Sequence, residues 1–269
     1  MRRILDHAVL MGGVLLFCGP VLLLAVSATH DGGLNRAGGL TLWPGTGFGA
    51  NLDRLREVGG GAARMPGVNA MIWSSAAVGL GVALLTTAVS FVAAYAITHL
   101  RGRGTQAVFW VSVATLYFPV EARMLPTFEI TAGLGLLGTT LGMVLPILPL
   151  ALGTLIFRQH LKTLPPELME AARLDGAGPL RFLRDFALPL SGPPIGAVLL
   201  ITFIFGWNQY LWPLLISIDG SVWTLMRGLG FLGSGSGPAT ALAALSMLPP
   251  LLLAIGFARL LSRLGQLRL

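Results

Sequence analysis

The side chains that could bind a polar small molecule lie at the ends of long apolar segments of this 269-residue chain. Arg123 offers a planar guanidinium, which can hold an anionic group through two parallel hydrogen bonds. The adjacent Asn208, Gln209 and Tyr210 offer amide and phenol groups, which suit the hydroxyl groups of a ligand. The candidate residues for such a site are Glu121, Arg123, Trp207, Asn208, Gln209 and Tyr210.

Each of these residues also has a plainer interpretation. Arg123 could pair with Glu121 as a structural or gating contact at the membrane interface, and this is favoured slightly over direct ligand binding. Trp207, Tyr210 and Trp212 could belong to the belt of aromatic residues at the membrane surface, and Trp212 fits the belt better than a site. Adjacent amides at the end of an apolar segment need polar partners, and a polar cavity is the simplest source of them.

The sequence contains no pattern typical of catalysis. The four histidines, at positions 7, 30, 99 and 160, lack metal-ligand spacing, and no serine lies in a Gly-x-Ser-x-Gly motif. A phosphate-binding Gly-x-x-x-x-Gly-Lys-Ser/Thr loop is absent as well. The single cysteine, Cys18, lies in an apolar run and can form no internal disulfide. We therefore predict neither an enzyme nor a metal or cofactor bound by this chain.

The composition predicts a membrane protein. Hydrophobic residues make up 54% of the chain and charged residues only 11%, against about 25% charged residues in soluble domains. Mean hydropathy is +0.78. The net charge of +7 does not indicate nucleic-acid binding, because the basic residues gather at the ends of apolar runs and not on one soluble face.

Six apolar segments are long enough to cross a bilayer, and together they predict an all-α polytopic fold. The first could instead be a cleaved signal peptide, but it exceeds the usual length of such an apolar core, and a retained span is favoured. An amphipathic helix is predicted at 48–58 on the outer surface, either solvated or docking a partner. Prolines in the fourth and sixth segments predict kinks. The predicted spans are 8–28, 69–97, 106 to about 125, 139–157, 190–213 and 239–261, with an outer connection at 127–138 and an outer loop at 214–238.

Lysine and arginine predict the orientation of the spans. One side of the membrane carries 12 of the 18 basic residues and 5 of the 11 acidic residues, so the whole net charge falls there. Positive loops face the cytoplasm, so this side is assigned to it, together with both termini. The chain is divided into residues 1–68, the first span and an extracytoplasmic loop, and residues 69–269, a core of five spans with a cytoplasmic loop at 158–189.

A polar stretch from Pro165 to Pro189 interrupts the second half of the chain and reads as two short helices joined by a bend. Pro165, Pro166 and Glu167 are typical of a helix start. Gly176 and Gly178 are expected to end the first helix, Pro179 to open the second, and Pro189 to close the unit. The expected apolar edge consists of Leu168, Ala171, Ala172 and Leu174, then Leu180, Leu183, Phe186 and Ala187. We call residues 165–189 the elbow.

The elbow resembles the EAA loop of ATP-binding-cassette importer permeases. The resemblance rests on Glu170–Ala172, on Gly176 after three further residues, and on Phe186–Pro189 after nine more. The family usually has isoleucine where this chain has Phe186, which keeps an apolar residue. Further segments resemble the second permease subunits of sn-glycerol-3-phosphate importers, within the carbohydrate-uptake group. These segments are 119–127, 157–159, 170–177 and 205–214.

The resemblance implies a type I importer permease fold in the bacterial inner membrane, with the elbow inserted into a cleft of an ATPase. It implies a second permease subunit, an ATPase dimer that binds ATP and Mg²⁺, an extracytoplasmic binding protein, and alternating access. Import of sn-glycerol 3-phosphate or glycerophosphodiesters is favoured over a neutral sugar or polyol. An ion-driven transporter and a membrane enzyme fit less well, because inverted repeats, acidic residues within spans and catalytic clusters are missing. The implied coupling residues are Glu170, Ala171, Ala172, Asp175, Gly176, Leu188 and Pro189.

Overall fold

The computed structural model describes residues 2–33, 42–58, 65–99, 104–217, 222–233 and 235–266. Helices dominate these residues and no strand occurs among them, which confirms the predicted all-α class. The α-helices are α1 Arg2–Ala28, α2 Phe48–Val58, α3 Val68–His99, α4 Thr105–Ala114, α5 Val120–Gly133, α6 Thr140–Val144, α7 Leu150–Leu161, α8 Pro166–Leu174, α9 Pro179–Phe182, α10 Leu188–Leu190, α11 Gly192–Trp207, α12 Leu211–Ile216, α13 Leu225–Leu232 and α14 Gly237–Gln266. Short 3₁₀ turns occupy Thr115–Tyr117 and Leu145–Ile147, and a π-helical turn occupies Leu183–Ala187.

Three helices are long and apolar enough to cross a membrane by themselves, and three bent helix pairs bring the number to six if each pair is one span. This agrees with the predicted six spans. The single helices cover Ile4–Ala28, Val68–His99 and Gly237–Arg259. The bent pairs are Thr105–Tyr117 with Glu121–Gly133, Thr140–Ile147 with Leu150–Leu161, and Pro179–Leu190 with Gly192–Trp207.

The predicted third span, from Gln106 to about Leu125, was wrong at its far end. The helical segment stops at Tyr117, Phe118 is extended at φ −83° and ψ 117°, and Pro119 precedes a new helix. Proline drives the residue before it out of the helical region, which explains the break. The new helix, α5, continues to Gly133, so the first half of the predicted outer connection is helical.

The predicted fifth span, 190–213, starts within two residues of α11 but was wrong at its far end. Pro189 lies inside α10 and does not close the elbow; the chain bends by 78° after Leu190, where Ser191 separates α10 from α11. Pro189 lies two residues after the π-helical turn Leu183–Ala187 and one residue before this helical segment ends at Leu190. At the other end the helix stops at Trp207, and the predicted outer loop contains α13.

Prolines act differently in the fourth and sixth spans. The fourth is bent by 53° around Pro146 and Pro149, as predicted. In the sixth, Pro249 and Pro250 lie inside α14, which the structure assigns as one helix. The predicted kink at that pair stays a prediction.

The chain divides into two compact units, the first comprising residues Met1–Ser74 with Asp219–Leu251. In this unit Asn51 of α2 is buried; its amide nitrogen donates to the carbonyl oxygens of Ala28 (3.0 Å) and His30 (2.7 Å), and its amide oxygen accepts from the N–H of Gly32 (3.2 Å). Helix α2 has the predicted bounds. The apolar window of α1 has no buried residue.

The second unit comprises residues Ser75–Ile218 with Leu252–Leu269. Helices α3 and α7 approach closely in it: a Cβ on Gly153 would lie 2.6 Å from the Ser90 hydroxyl, which donates to the Leu150 carbonyl oxygen at 2.8 Å. A core cluster lies beside this contact and includes residues of the elbow. Its buried members are Phe91, Ala94, Tyr95, Phe157, Leu161, Ala172, Phe182, Ala187 and Val198. The sequence division at residues 68 and 69 stays a prediction.

Candidate functional site

The first elbow helix, α8, begins as the sequence predicts. Pro165 is its N-cap with φ −58° and ψ 132°, and Pro166 takes the first helical position, where its missing N–H leaves no partner unsatisfied. Glu167 lies in the first turn, where its carboxylate interacts favourably with the positive end of the helix dipole. Two prolines and one carboxylate therefore fix where the elbow starts.

The bend of the elbow is a Schellman motif centred on Gly176. The N–H of Gly176 donates to the Arg173 carbonyl oxygen at 3.0 Å, and the N–H of Ala177 donates to the Ala172 carbonyl oxygen at 2.8 Å. Gly176 has φ +73°, a conformation that residues with a side chain rarely adopt, whereas a Cβ added there would meet nothing within 4 Å. The bend therefore needs glycine for its backbone angle and not for space.

The inner face of the elbow packs on the transmembrane helices. Ala172, Phe182 and Ala187 are buried in the core cluster with residues of α3, α7 and α11. The Tyr95 hydroxyl donates to the Pro179 carbonyl oxygen at 2.8 Å, and the rings of Phe182 and Phe186 stack at 5.6 Å. Packing and hydrogen bonding thus join the elbow to the ends of the spans as one body.

The predicted apolar edge was only partly right. Leu168 packs on the core and Ala172 belongs to it, but Ala171 is exposed, Leu174 is 90% exposed and Leu180 is 80% exposed. The predicted strip was too wide: Leu168 and Ala172 are four apart and share one face, whereas Leu174 is only two residues from Ala172 and points to another side of the helix. Phe182, the largest buried side chain of the second elbow helix, was missed; its spacing of four from Phe186 was the available signal.

The other face of the elbow is open. Glu170, Ala171 and Asp175 are exposed beside Leu174, and Gly176 forms the tip. Among the predicted coupling residues, Leu188 and Pro189 are also exposed, whereas Ala172 points into the core. Ala172 therefore holds the elbow in place, and the outer group presents two carboxylates and an unburied leucine to whatever meets this surface.

The predicted substrate residues of the fifth span lie where α11 ends. Trp207 is buried and stacks on Phe203 with ring centroids 5.6 Å apart. Asn208 caps the helix through its own N–H, which donates to the Ile204 carbonyl oxygen at 3.0 Å, and its side chain is exposed. Gln209 is half-buried and Tyr210 is 38% exposed. The break therefore brings two amides and a phenol to one irregular segment.

Trp212 does not belong to an interfacial belt, which corrects the sequence interpretation. It is buried, and its indole N–H donates to the Gly142 carbonyl oxygen at 3.0 Å. Trp207 is likewise a buried side chain and not a surface one. Both tryptophans pack the helices around residues 208–210, where adjacent helix breaks leave backbone groups that need partners.

The suggested pairing of Arg123 with Glu121 does not form. Both residues are exposed on α5, and within the residues that the structure describes no ion pair includes either of them. Residues two apart on a helix point to different sides, which explains why they do not meet. Arg123 is thus an exposed guanidinium on a helix that packs against α12.

A second arginine was missed as a structural residue. Arg158 of α7 is buried; its guanidinium lies 3.8 Å from the ring centroid of Phe109 and donates to the Gln106 side-chain oxygen at 3.3 Å. A buried cation over an aromatic face is held by the ring electrons, so Arg158 joins α7 to α4. Nothing in the sequence distinguished it from the other basic residues at the ends of spans.

Comparisons with known proteins identify related membrane components. The family described as "Binding-protein-dependent transport system inner membrane component" matches residues 86–264. Proteins named sn-glycerol-3-phosphate transport system permease are similar along the chain: one from Yersinia pestis bv. Antiqua is 38% identical over 94% of this chain and 93% of its own length, and one from Pectobacterium atrosepticum is 40% identical with the same coverage. One from Agrobacterium fabrum is 35% identical over 95% of this chain and 93% of its own length.

A solved structure shares the fold. It is a chain of a bacterial ABC transporter that imports the acidic polysaccharide alginate, and it aligns with a TM-score of 0.73 over 95% of both chains. Sequence identity is 20%. This likeness establishes the fold alone.

Proposed function

This chain belongs to the family of binding-protein-dependent transport system inner membrane components, and we propose that its cargo is sn-glycerol 3-phosphate or a glycerophosphodiester. The proposed cargo is supported by the similarity to permeases named for sn-glycerol 3-phosphate, at 35–40% identity along nearly the whole chain. A permease of an ATP-binding-cassette importer is a multi-pass inner membrane protein that works with an ATPase and a substrate-binding protein. We propose further that both termini lie in the cytoplasm, as the distribution of arginine and lysine favours.

In the proposed mechanism the elbow carries the motion of the ATPase to the spans. Its open face, with Glu170, Leu174 and Asp175, would enter a cleft of the ATPase, where Glu170 meets a basic residue. The core cluster and the bond from Tyr95 to Pro179 make the elbow one body with the ends of α3, α7 and α11. When two ATPase subunits close on ATP, elbows would be drawn together and the spans would rock between inward-open and outward-open states.

A second, homologous permease subunit completes the proposed pathway. This chain would bind no cofactor and hydrolyse nothing, and ATP and Mg²⁺ would be held by the ATPase subunits. One permease chain provides one elbow, whereas an ATPase dimer has two clefts to fill. A pair of permeases therefore matches the dimer and encloses a pathway between its members.

The substrate is proposed to pass the broken end of α11. Asn208, Gln209 and Tyr210 would hydrogen-bond the glycerol hydroxyls, Arg123 would hold the phosphate, and Glu121 would line the pathway. Trp207, predicted to line it too, is buried and would support this segment from the core. A phosphate dianion matches a guanidinium in charge and in hydrogen-bonding geometry. Arg123 is exposed without an ion-pair partner among the residues described, which leaves its donors available to a ligand.

The test is uptake by the whole complex in proteoliposomes: this chain, the second permease, the ATPase and the binding protein. We expect ATP-dependent accumulation of labelled sn-glycerol 3-phosphate that an excess of glycerol does not reduce. Uptake of a neutral disaccharide, with sn-glycerol 3-phosphate ignored, would reject the cargo. Uptake that continues without the ATPase would reject the mechanism.

A further inference from the structure

Two apolar grooves along α3 join and end at an arginine. The first, of about 450 Å³, lies between α3, the elbow and α11, and its lining is apolar apart from Thr87 and Arg184. The second, of about 420 Å³, continues between α3, α11 and the final part of α14 and is lined by apolar residues. Leu84 and Leu199 line both, so the two grooves are continuous. We call them the lateral groove.

The length of the lateral groove matches one leaflet of a bilayer. Its lining on α3 runs from Leu80 to Val92. At 1.5 Å per residue this span is about 18 Å, whereas half of the hydrocarbon core is about 15 Å. Leu80 and Val92 are 51% and 54% exposed, so the groove is open along its side. A lipid chain lying along α3 has the length and the access to enter it.

The positive charge of Arg184, at the elbow end of the lateral groove, favours an anionic lipid. Arg184 is exposed, and no ion pair among the described residues includes it, whereas the neighbouring Arg181 pairs with Asp185 at 3.5 Å. In the proposed orientation the elbow lies where the chain leaves the membrane, at the level of the lipid phosphates. A guanidinium there attracts an anionic head group, and basic sites between membrane helices on the cytoplasmic side bind such lipids.

We propose that the lateral groove binds an anionic phospholipid, with one acyl chain along α3 between Leu80 and Val92 and the phosphate at Arg184. The cytoplasmic leaflet follows from the proposed orientation; the site itself does not depend on the cargo. A lipid held there touches both α3 and the elbow through Leu183, Arg184 and Leu188. Its presence would therefore stiffen the joint that the ATPase is proposed to move.

The first test measures lipid binding to the purified complex by native mass spectrometry. Phosphatidylglycerol and phosphatidylcholine with the same chains are added separately. We expect the complex to bind phosphatidylglycerol more tightly than phosphatidylcholine. Arg184→Gln should lower the affinity for phosphatidylglycerol about fivefold, as for the loss of one cation near an anionic surface, and leave the affinity for phosphatidylcholine unchanged. Leu199→Trp, which fills the groove, should lower the affinity for both lipids.

The matched control is Arg181→Gln, in the same helical segment Pro179–Leu190 but outside the groove lining and already paired with Asp185. It should leave lipid affinity unchanged. Equal losses in Arg181→Gln and Arg184→Gln, or no preference for phosphatidylglycerol in the wild type, would overturn the site. If Leu199→Trp prevents assembly, the two arginine variants still decide.

A second test asks whether a helix of another subunit fills the groove instead. Leu84→Cys is introduced with Cys18→Ser, and the assembled complex is treated with a maleimide and with a thiol cross-linker. Protection of the new thiol by phosphatidylglycerol supports the proposal. Cross-linking to the second permease without such protection overturns it. Neither measurement involves transport, so failure here is separable from failure of the proposed cargo.

Discussion

The hydroxyl of Tyr95, near the end of α3, donates a hydrogen bond of 2.8 Å to the carbonyl oxygen of Pro179, at the start of the second elbow helix. The two residues are 84 positions apart in the chain. This bond and the packing of Phe182 hold the elbow against a membrane span. Removing the bond while keeping the ring isolates its contribution to coupling.

Tyr95→Phe should lower the number of substrate molecules transported per ATP hydrolysed in proteoliposomes. A net loss of about 1 kcal/mol is expected for one hydrogen bond, enough to loosen the joint without unfolding it. The matched control is Tyr117→Phe, whose side chain is 85% exposed. Unchanged stoichiometry in Tyr95→Phe would show that packing alone carries the motion.

Gly176→Ala should destabilise the elbow by about 1–2 kcal/mol, because alanine in the left-handed region is strained while its Cβ meets no neighbour. Gly178→Ala is the control: its φ is −72° and there is open space around it. Proteolysis within residues 165–189 of the isolated permease measures the effect. Faster cleavage in both variants, or in neither, contradicts the assignment of the bend to Gly176.

Glu170→Gln should weaken binding of the ATPase at least tenfold, because removing one partner of a desolvated charge pair typically costs about 2–5 kcal/mol. Thermal stability of the permease alone should not change, since Glu170 is exposed. Glu167→Gln, three residues earlier on the same helix, is the control and should bind normally. If the wild type, Glu170→Gln and Glu167→Gln bind the ATPase with equal affinity, Glu170 does not contribute to the interface.

Arg123→Gln should raise the KM for sn-glycerol 3-phosphate at least tenfold, because hydrogen bonds to charged groups contribute about 1.5–3 kcal/mol. Arg54→Gln, on α2 and paired with Asp31, serves as a control for charge on another surface of the chain. Uptake assays with the assembled complex give both values. If Arg123→Gln instead prevents assembly, a structural role replaces phosphate binding.

Asn51→Ala should destabilise the first unit by about 3 kcal/mol, because its side chain makes three hydrogen bonds and would leave buried partners unsatisfied. Asn69→Ala, which is exposed, is the matched control. Thermal unfolding of the purified chain, followed by protease sensitivity of residues 29–33, reports the difference. If Asn51→Ala lowers the unfolding temperature no more than Asn69→Ala does, the three hydrogen bonds of Asn51 contribute little to stability.

The sequence predicted those features that depend on local chemistry. Pro165 and Pro166 start a helix because proline suits a first turn, and Gly176 ends it because its backbone angle excludes other residues. The bounds of α2 followed from its alternation of apolar and charged residues. Each of these signals lies within a few residues of the feature that it specifies.

Features that depend on distant neighbours were mispredicted or missed. The break at Pro119 is an exception, because its signal is local: proline drives Phe118 out of the helical region. Trp212 was placed at a membrane surface because its bond to Gly142, 70 positions away, has no sequence signal. The buried role of Asn51 was invisible for the same reason, since its partner Ala28 lies 23 positions away. The comparisons fix the family but leave the individual coupling and substrate residues as predictions.

Helix α1 has an apolar window in which no side chain is buried, and a hydrogen bond from Asn51 meets its last residue, Ala28. A helix that is held only at one end can rotate about its axis within the lipid until it contacts another protein surface. The apolar length of α1 determines how deeply it lies in the bilayer. Contacts in the assembled transporter determine which side of α1 faces the other helices. Replacing residues 4–22 with polyleucine should therefore preserve insertion, and any loss of assembly would measure the contacts that α1 makes beyond its own subunit.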